Sequence, residues 1–213
     1  MPTLHLSPGD ILLTSGVGGP DAKWRDKLLS QTIIRAQALQ SPNFEPTCSH
    51  AELITNHLGE TFAARWRTRK RANGLCDYLG SRIIIGRPAK SVGMTSPKFW
   101  LAWDKAKMGR FDGAIYPLHR LVIQGLSAVA LPRWITTVGT GSVGMCSEVV
   151  AAFYHGYGLE DFSAGWRGWT PADLEQLVTR GDSFDVEFEG ELTLGVMRDS
   201  GLPIYDLEGR ETR

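Results

Sequence analysis

The sequence predicts an α+β fold in which an antiparallel sheet packs against helices. Short apolar runs that read as strands, ILL at 11–13, HAELI at 50–54 and III at 83–85, come early and are separated by turn signals. Helical patterns with their own start and stop signals are interspersed among them, at 21–40, 98–108, 146–155 and 171–180. No regular alternation of strand and helix appears, which argues against a doubly wound parallel sheet.

Composition narrows the class further. With 213 residues, 42% of them hydrophobic, the chain is long enough for one well-cored domain over 1–213, ending in an acidic extension from about residue 182. Twenty-three basic residues balance twenty-three acidic ones, which leaves no overall bias toward nucleic acid or anionic membrane. Cys48, Cys76 and Cys146 are an odd set with no CxxC spacing, against both a disulfide framework and a cysteine-rich zinc site. Neither HExxH nor paired ligand spacing is present, and the expectation is no metal and no cofactor. The start, MPTLHLSPGD, lacks a basic and apolar leader, and no eighteen-residue apolar run occurs. The expected chain is cytoplasmic, without a signal peptide or transmembrane segment; a virion or another export route stays open.

The elements follow in order. Pro8 and Gly9 make a turn tied by Asp10, leading into the buried strand Ile11, Leu12, Leu13. Segment 21–40 sets Trp24, Leu28, Ile33 or Ile34, Ala36 and Leu39 near one helical face with Lys and Arg between them, an amphipathic pattern. HAELI, the turn TNHLGE and a returning strand over 61–66 form a hairpin. Five of the seven residues at 65–71 are basic. Such a run is ordinarily a solvated sheet edge, and otherwise a positive patch beside the hairpin. A strand at 82–86 ends at Arg87 and Pro88. Ser96 and Pro97 start a helix over 98–108 whose Phe99, Trp100 and Trp103 make a core face. The apolar stretch 109–126 is ambiguous. After GWRGW, Thr170, Pro171, Asp173 and Gly181 bracket another short helix. From Asp182 onward nine carboxylates accompany three arginines, and alternating Phe184, Val186 and Phe188 suggest an edge strand.

Chemistry concentrates at GMCSEVV, 144–150. A run of small residues leads into CSEVVAAFYHG, where Val149, Val150 and Phe153 recur at helical spacing and Gly156 supplies a stop. Cys146 then sits in the first turn of a helix, where unpaired backbone N–H groups and the macrodipole favour a thiolate. A cysteine also packs a helix end as a small apolar residue, and a partner base is what separates the two roles. Five histidines compete. His5 lies in a disordered-looking start, His57 at a hairpin tip, and His155 about 13 Å along the same helix at 1.5 Å per residue. His50 opens a strand, a position that can meet a helix start across a cleft; His119, read as a packed histidine, stays open as an alternative.

The ordered set GDILL (9–13), SHAELI (49–54), a returning strand ending near Arg87 and Pro88, GRFDG (109–113), MCSEVVAAFYHGYG (145–158) and TPADL (170–174) carries a resemblance. Over residues 7–176 it resembles the NlpC-like cysteine hydrolases of the circularly permuted papain fold, the YiiX and lecithin retinol acyltransferase type. Each token is common; the order, together with CSE-apolar and TPADL, is the signal. Histidine precedes cysteine here as in the permuted family. The resemblance implies Cys146 as nucleophile and His50 as base, acting on a peptide, a peptidoglycan fragment or an acyl lipid. The third member departs from the family, which places a polar residue on the neighbouring strand, near Phe62, Ala63 or Ala64 in this chain. Glu52, two residues after His50 and on the same strand face, is the local substitute, ahead of Glu60 and Ser49. A backbone carbonyl or a water orienting His50, or a site that has lost catalysis, are the other options. Substrate-binding candidates are Ser49, Met145 and Ser147 beside the pair, with Arg65 and Trp66 from the basic run.

Three rival readings stand beside the hydrolase. A catalytically silent binding or structural module on the same fold, such as a phage or secreted assembly component, draws on the missing third residue. A nucleic-acid binder using RWRTRKR is opposed by the zero net charge and the lack of interleaved aromatic repeats. A metal enzyme lacks any ligand pattern.

Overall fold

A computed structural model of the chain describes residues 3–15, 24–41, 43–63, 69–71, 74–89, 101, 146–205 and 211–212. The architecture is α+β. Strands β1 (Ile11–Thr14), β2 (His50–Ile54), β3 (Thr61–Ala63), β4 (Arg69–Arg71), β5 (Arg82–Pro88) and β6 (Phe184–Glu191) form one sheet in the order β4-β3-β2-β1-β5-β6. Every neighbouring pair in it is antiparallel. The helices are α1 (Trp24–Gln40), α2 (Cys146–Tyr157), α3 (Pro171–Arg180) and α4 (Leu194–Asp199), with 3-10 turns at Gly74–Tyr78 and Glu160–Phe162. Ile204–Tyr205 and Glu211–Thr212 pair as a separate two-stranded ribbon, β7 and β8. Apart from Leu101, the helix expected over 98–108 lies outside the described residues, as do the stretch 109–126 with His119, and Met145, Arg65 and Trp66.

The sheet is covered on both faces, and strand alternation sorts its side chains between two cores. Ile11, Leu13, Ala51, Leu53, Phe62 and Ile84 pack with Val149, Val150 and Phe153 of α2 and Leu174 and Val178 of α3. Leu12, Ile54, Ile83 and Ile85 pack on the other face with Leu4, Leu6, Leu75, Tyr78, Val196 and Met197. This double cover is why ILL and III read as continuous apolar runs rather than alternating ones. Residues 4 and 6 are buried in the second core, so the start of the chain is packed rather than disordered-looking.

The acidic segment after residue 182 supplies the sixth strand, at the sheet edge. Its register jumps between Ile85 and Gly86, which pair with Phe188 and Val186 and leave Glu187 as the extra residue of a bulge. The bulge flips the alternation. Phe184 therefore joins the first core and Phe188 the second, while Val186 is left 44% exposed. The edge strand that Phe184, Val186 and Phe188 suggest is β6, with these residues divided between its faces by the bulge. The opposite edge is β4, which is built from the basic residues 69–71 of the run read as a solvated edge.

Two helices depart from their sequence patterns. In α1, Trp24, Leu28 and Leu39 do fall within about 60° of one another at 3.6 residues per turn, but they are 69%, 58% and 66% exposed, and Gln37 from the far side is buried. The face read as apolar is turned outward. Helix α2 passes through Gly156 and stops at Gly158, where φ is 90°. There Gly158 N–H donates to His155 O at 3.1 Å and Leu159 N–H to Tyr154 O at 3.1 Å, a Schellman closure that needs a left-handed residue. Helix α3 starts as its sequence predicts: the Thr170 hydroxyl accepts from Asp173 N–H and the Asp173 carboxylate accepts from Thr170 N–H.

Candidate active site

Cys146 is the first residue of α2 and His50 the first of β2. Alternation puts His50 and Glu52 on the face opposite Ala51 and Leu53, toward the second core. Cys146 belongs to the helix that covers the first. The imidazole lies where β2 and α2 both begin. It is hydrogen-bonded to Cys146 on one side, and its Nε2 lies 3.0 Å from Glu52 Oε1 on the other. With Nε2 turned to the carboxylate, Nδ1 is the nitrogen left for the sulfur.

Glu52 is 1% exposed, and its Oε1 also accepts the Tyr78 hydroxyl at 2.6 Å. A carboxylate so buried is held by what surrounds it, here an imidazolium and a phenol. Tyr78 comes from the 3-10 turn, 26 residues from Glu52. No local pattern in the sequence marks it. From two residues along the same strand face, the glutamate side chain is long enough to reach the edge of the His50 ring. Phe62, near which a family orienter was counted, pairs with Leu53 and packs in the first core.

The electrostatics follow from this line of contacts. Burial alone would push the His50 pKa down, but the Cys146 thiolate charge, its hydrogen bond and then the Glu52 bond and charge outweigh burial and raise it from 6.5 to about 9. The raised pKa favours the imidazolium form of His50 beside Cys146. The other described histidines are committed elsewhere: His57 Nδ1 to Leu6 O and His155 Nδ1 to Phe162 O, each at 2.7 Å, while His5 is exposed beside Thr3. None of the three cysteines forms a disulfide. Cys48 is a different case from Cys146, since burial and then the Glu175 charge push its thiol well above the ordinary value.

The first turn of α2 is fastened to the loop before α3. The Ser147 hydroxyl donates to Trp169 O at 2.6 Å, and Glu148 Oε1 accepts Gly168 N–H at 2.9 Å. Ser147 is thus fully buried and bonded within the frame, and Ser49 is buried with its N–H on Thr14 O at 2.9 Å. Glu60 sits on the hairpin turn, with its carbonyl accepting Thr55 N–H. Among the described residues no group of three or more His, Cys, Asp or Glu side chains is arranged to hold a metal ion. Nor is any described helix long and apolar enough to cross a membrane.

Compared with protein-family models and with curated proteins, the chain matches none.

Proposed function

We propose that this chain is a thiol hydrolase that cleaves an amide or ester bond through an acyl-enzyme on Cys146, with His50 as base and Glu52 as its orienting group. We also read its antiparallel sheet and helices as a circularly permuted papain-like, NlpC-like fold. The observation that carries the reading is the continuous line of hydrogen bonds from Cys146 through His50 to Glu52. The thiolate attacks the carbonyl carbon, and the oxyanion is met by backbone N–H groups at the start of α2, including that of Cys146. The C–N or C–O bond then breaks as the His50 imidazolium gives its proton to the departing amine or alcohol. Water next gives a proton to His50 and its oxygen to the thioester carbon; the C–S bond breaks and the thiolate and imidazolium are restored. Cell-wall peptides and acylated lipids are the two substrate classes that the resemblance suggests.

A second reading has one specific observation in its favour. Cys146 is only 1% exposed, as in a silent binding or structural module that retains the scaffold without turnover. Iodoacetamide alkylation of each cysteine against pH, followed by peptide mass spectrometry, separates the two. The hydrolase reading expects Cys146 alone to react well below the ~8.5 of a free thiol, and His50→Ala to abolish that reactivity. If Cys146 titrates like Cys76 and ignores His50, the silent module stands.

A further inference from the structure

Glu175, the fifth residue of α3, lies outside the line from Cys146 to Glu52, yet it is 2% exposed and fully engaged. Its Oε2 accepts Thr47 N–H at 2.9 Å and Cys48 N–H at 2.9 Å. Oε1 accepts the Thr47 hydroxyl at 2.5 Å and Thr47 N–H at 3.1 Å. Both residues lie just ahead of the strand that His50 opens, with Ser49 between. Ser49 N–H then donates to Thr14 O at 2.9 Å, and Thr14 pairs with His50 in the sheet. The approach to His50 is held by α3 on one side and by β1 on the other.

Helix α3 is fixed at its other end too. Its capping residue Thr170 follows Gly168 and Trp169, which are bonded to Glu148 and Ser147 in the first turn of α2. One short helix therefore connects the backbone that presents the nucleophile to the backbone that presents the base. We propose that Glu175 is a positioning residue for His50, its carboxylate fixing residues 47 and 48 so that the imidazole meets Cys146. The inference rests on the reading of His50 as the base. Burial, with the Glu175 charge added to it, also keeps the neighbouring Cys48 as a thiol.

The test uses the full chain, its Glu175→Gln variant and Thr47→Val, which removes the hydroxyl with its bond to Glu175 and its contact with Cys48 Sγ and keeps both backbone N–H bonds. Three quantities are measured on each: the iodoacetamide rate at Cys146 at neutral pH, the His50 titration by NMR, and the thermal midpoint. Positioning predicts that Glu175→Gln slows alkylation, by up to about a hundredfold for a displacement on the order of 1 Å, and lowers the His50 titration midpoint, with Thr47→Val a smaller change in the same sense. If the parent shows reactivity that His50→Ala removes, while both variants keep the rate and the titration and lose only thermal stability, Glu175 is a structural cap and the proposal fails alone. Where Glu175→Gln does not fold, Thr47→Val decides by the same two readouts. A parent whose Cys146 ignores His50→Ala overturns both the base assignment and this inference, and does so before any Glu175 variant is made.

Discussion

Glu52 reaches His50 from two residues along the same strand because same-face neighbours stand about 7 Å apart, within reach of a glutamate and an imidazole leaning toward each other. Replacing it with Gln keeps the length and removes the charge. For Glu52→Gln we expect turnover to fall between about a hundredfold and the roughly ten-thousandfold cost of neutralising a triad aspartate in a serine protease, with kcat as the quantity measured. The His50 titration should move down from about 9, since Glu52 is one of the groups that raise it. The pH profile of the parent has a definite sign. His50 is raised on folding, so its contribution to stability is complete below 6.5 and disappears as pH climbs through about 9. The alkaline limb of activity should fall over the same range, as the leaving group loses its proton donor; urea unfolding and kcat/KM measured across that interval check both. Cys146 and His50 were legible because their residue types fall at the start of a helix and of a strand. Tyr78 and Glu175 were not, because their partners lie 26 and about 128 residues away and leave no local period.

At the scale of elements, legibility followed how local the cause is. The start of α3 is written in four adjacent residues, and the structure forms the capping box that Thr170 and Asp173 call for. Thr170→Ala should cost about 1 kcal/mol, seen as a lower midpoint in urea. Gly158 makes the complementary case. Its φ of 90° suits glycine, and an added Cβ would meet nothing within 4 Å. Gly158→Ala should therefore cost about 1–2 kcal/mol from backbone strain alone, with packing unchanged. Gly86→Ala differs in kind: there a Cβ would lie 2.6 Å from Val178 Cγ1, so the loss comes from forcing α3 off the sheet. The bulge in β6 and the outward face of α1 were hidden for the opposite reason. Periodicity shows that a stripe exists but not which partner covers it, and a bulge changes the parity of a strand without changing its composition.

At the scale of the molecule, α2 and β5 are both tied to the turn at Gly9 and Asp10 that leads into β1. Its carboxylate is 1% exposed and accepts Arg87 Nε at 3.0 Å, Arg87 Nη2 at 2.9 Å and Ser7 N–H at 2.7 Å. Arg87 Nη2 also donates to His5 O, and Arg87 Nη1 lies 2.8 Å from Glu187 at the bulge. The Tyr154 hydroxyl of α2 reaches Gly9 O at 2.7 Å. Sequence showed Asp10 as the tie of a turn; its role as an anchor for the far end of β5 needed the fold, since Arg87 is 77 residues on. The design has an asymmetry that can be measured. Arg87→Met strands a buried carboxylate, and we expect a loss of roughly 2–4 kcal/mol, below the 3–5 of fully buried pairs because the guanidinium side chain keeps 20% exposure. Asp10→Asn in the same chain removes the stranded charge, so the double variant should be more stable than Arg87→Met alone. A double-mutant cycle by urea unfolding reads that coupling directly. If the two losses simply add, Arg87 acts through its contacts with His5 and Glu187, and the tie between β5 and the turn before β1 does not run through Asp10.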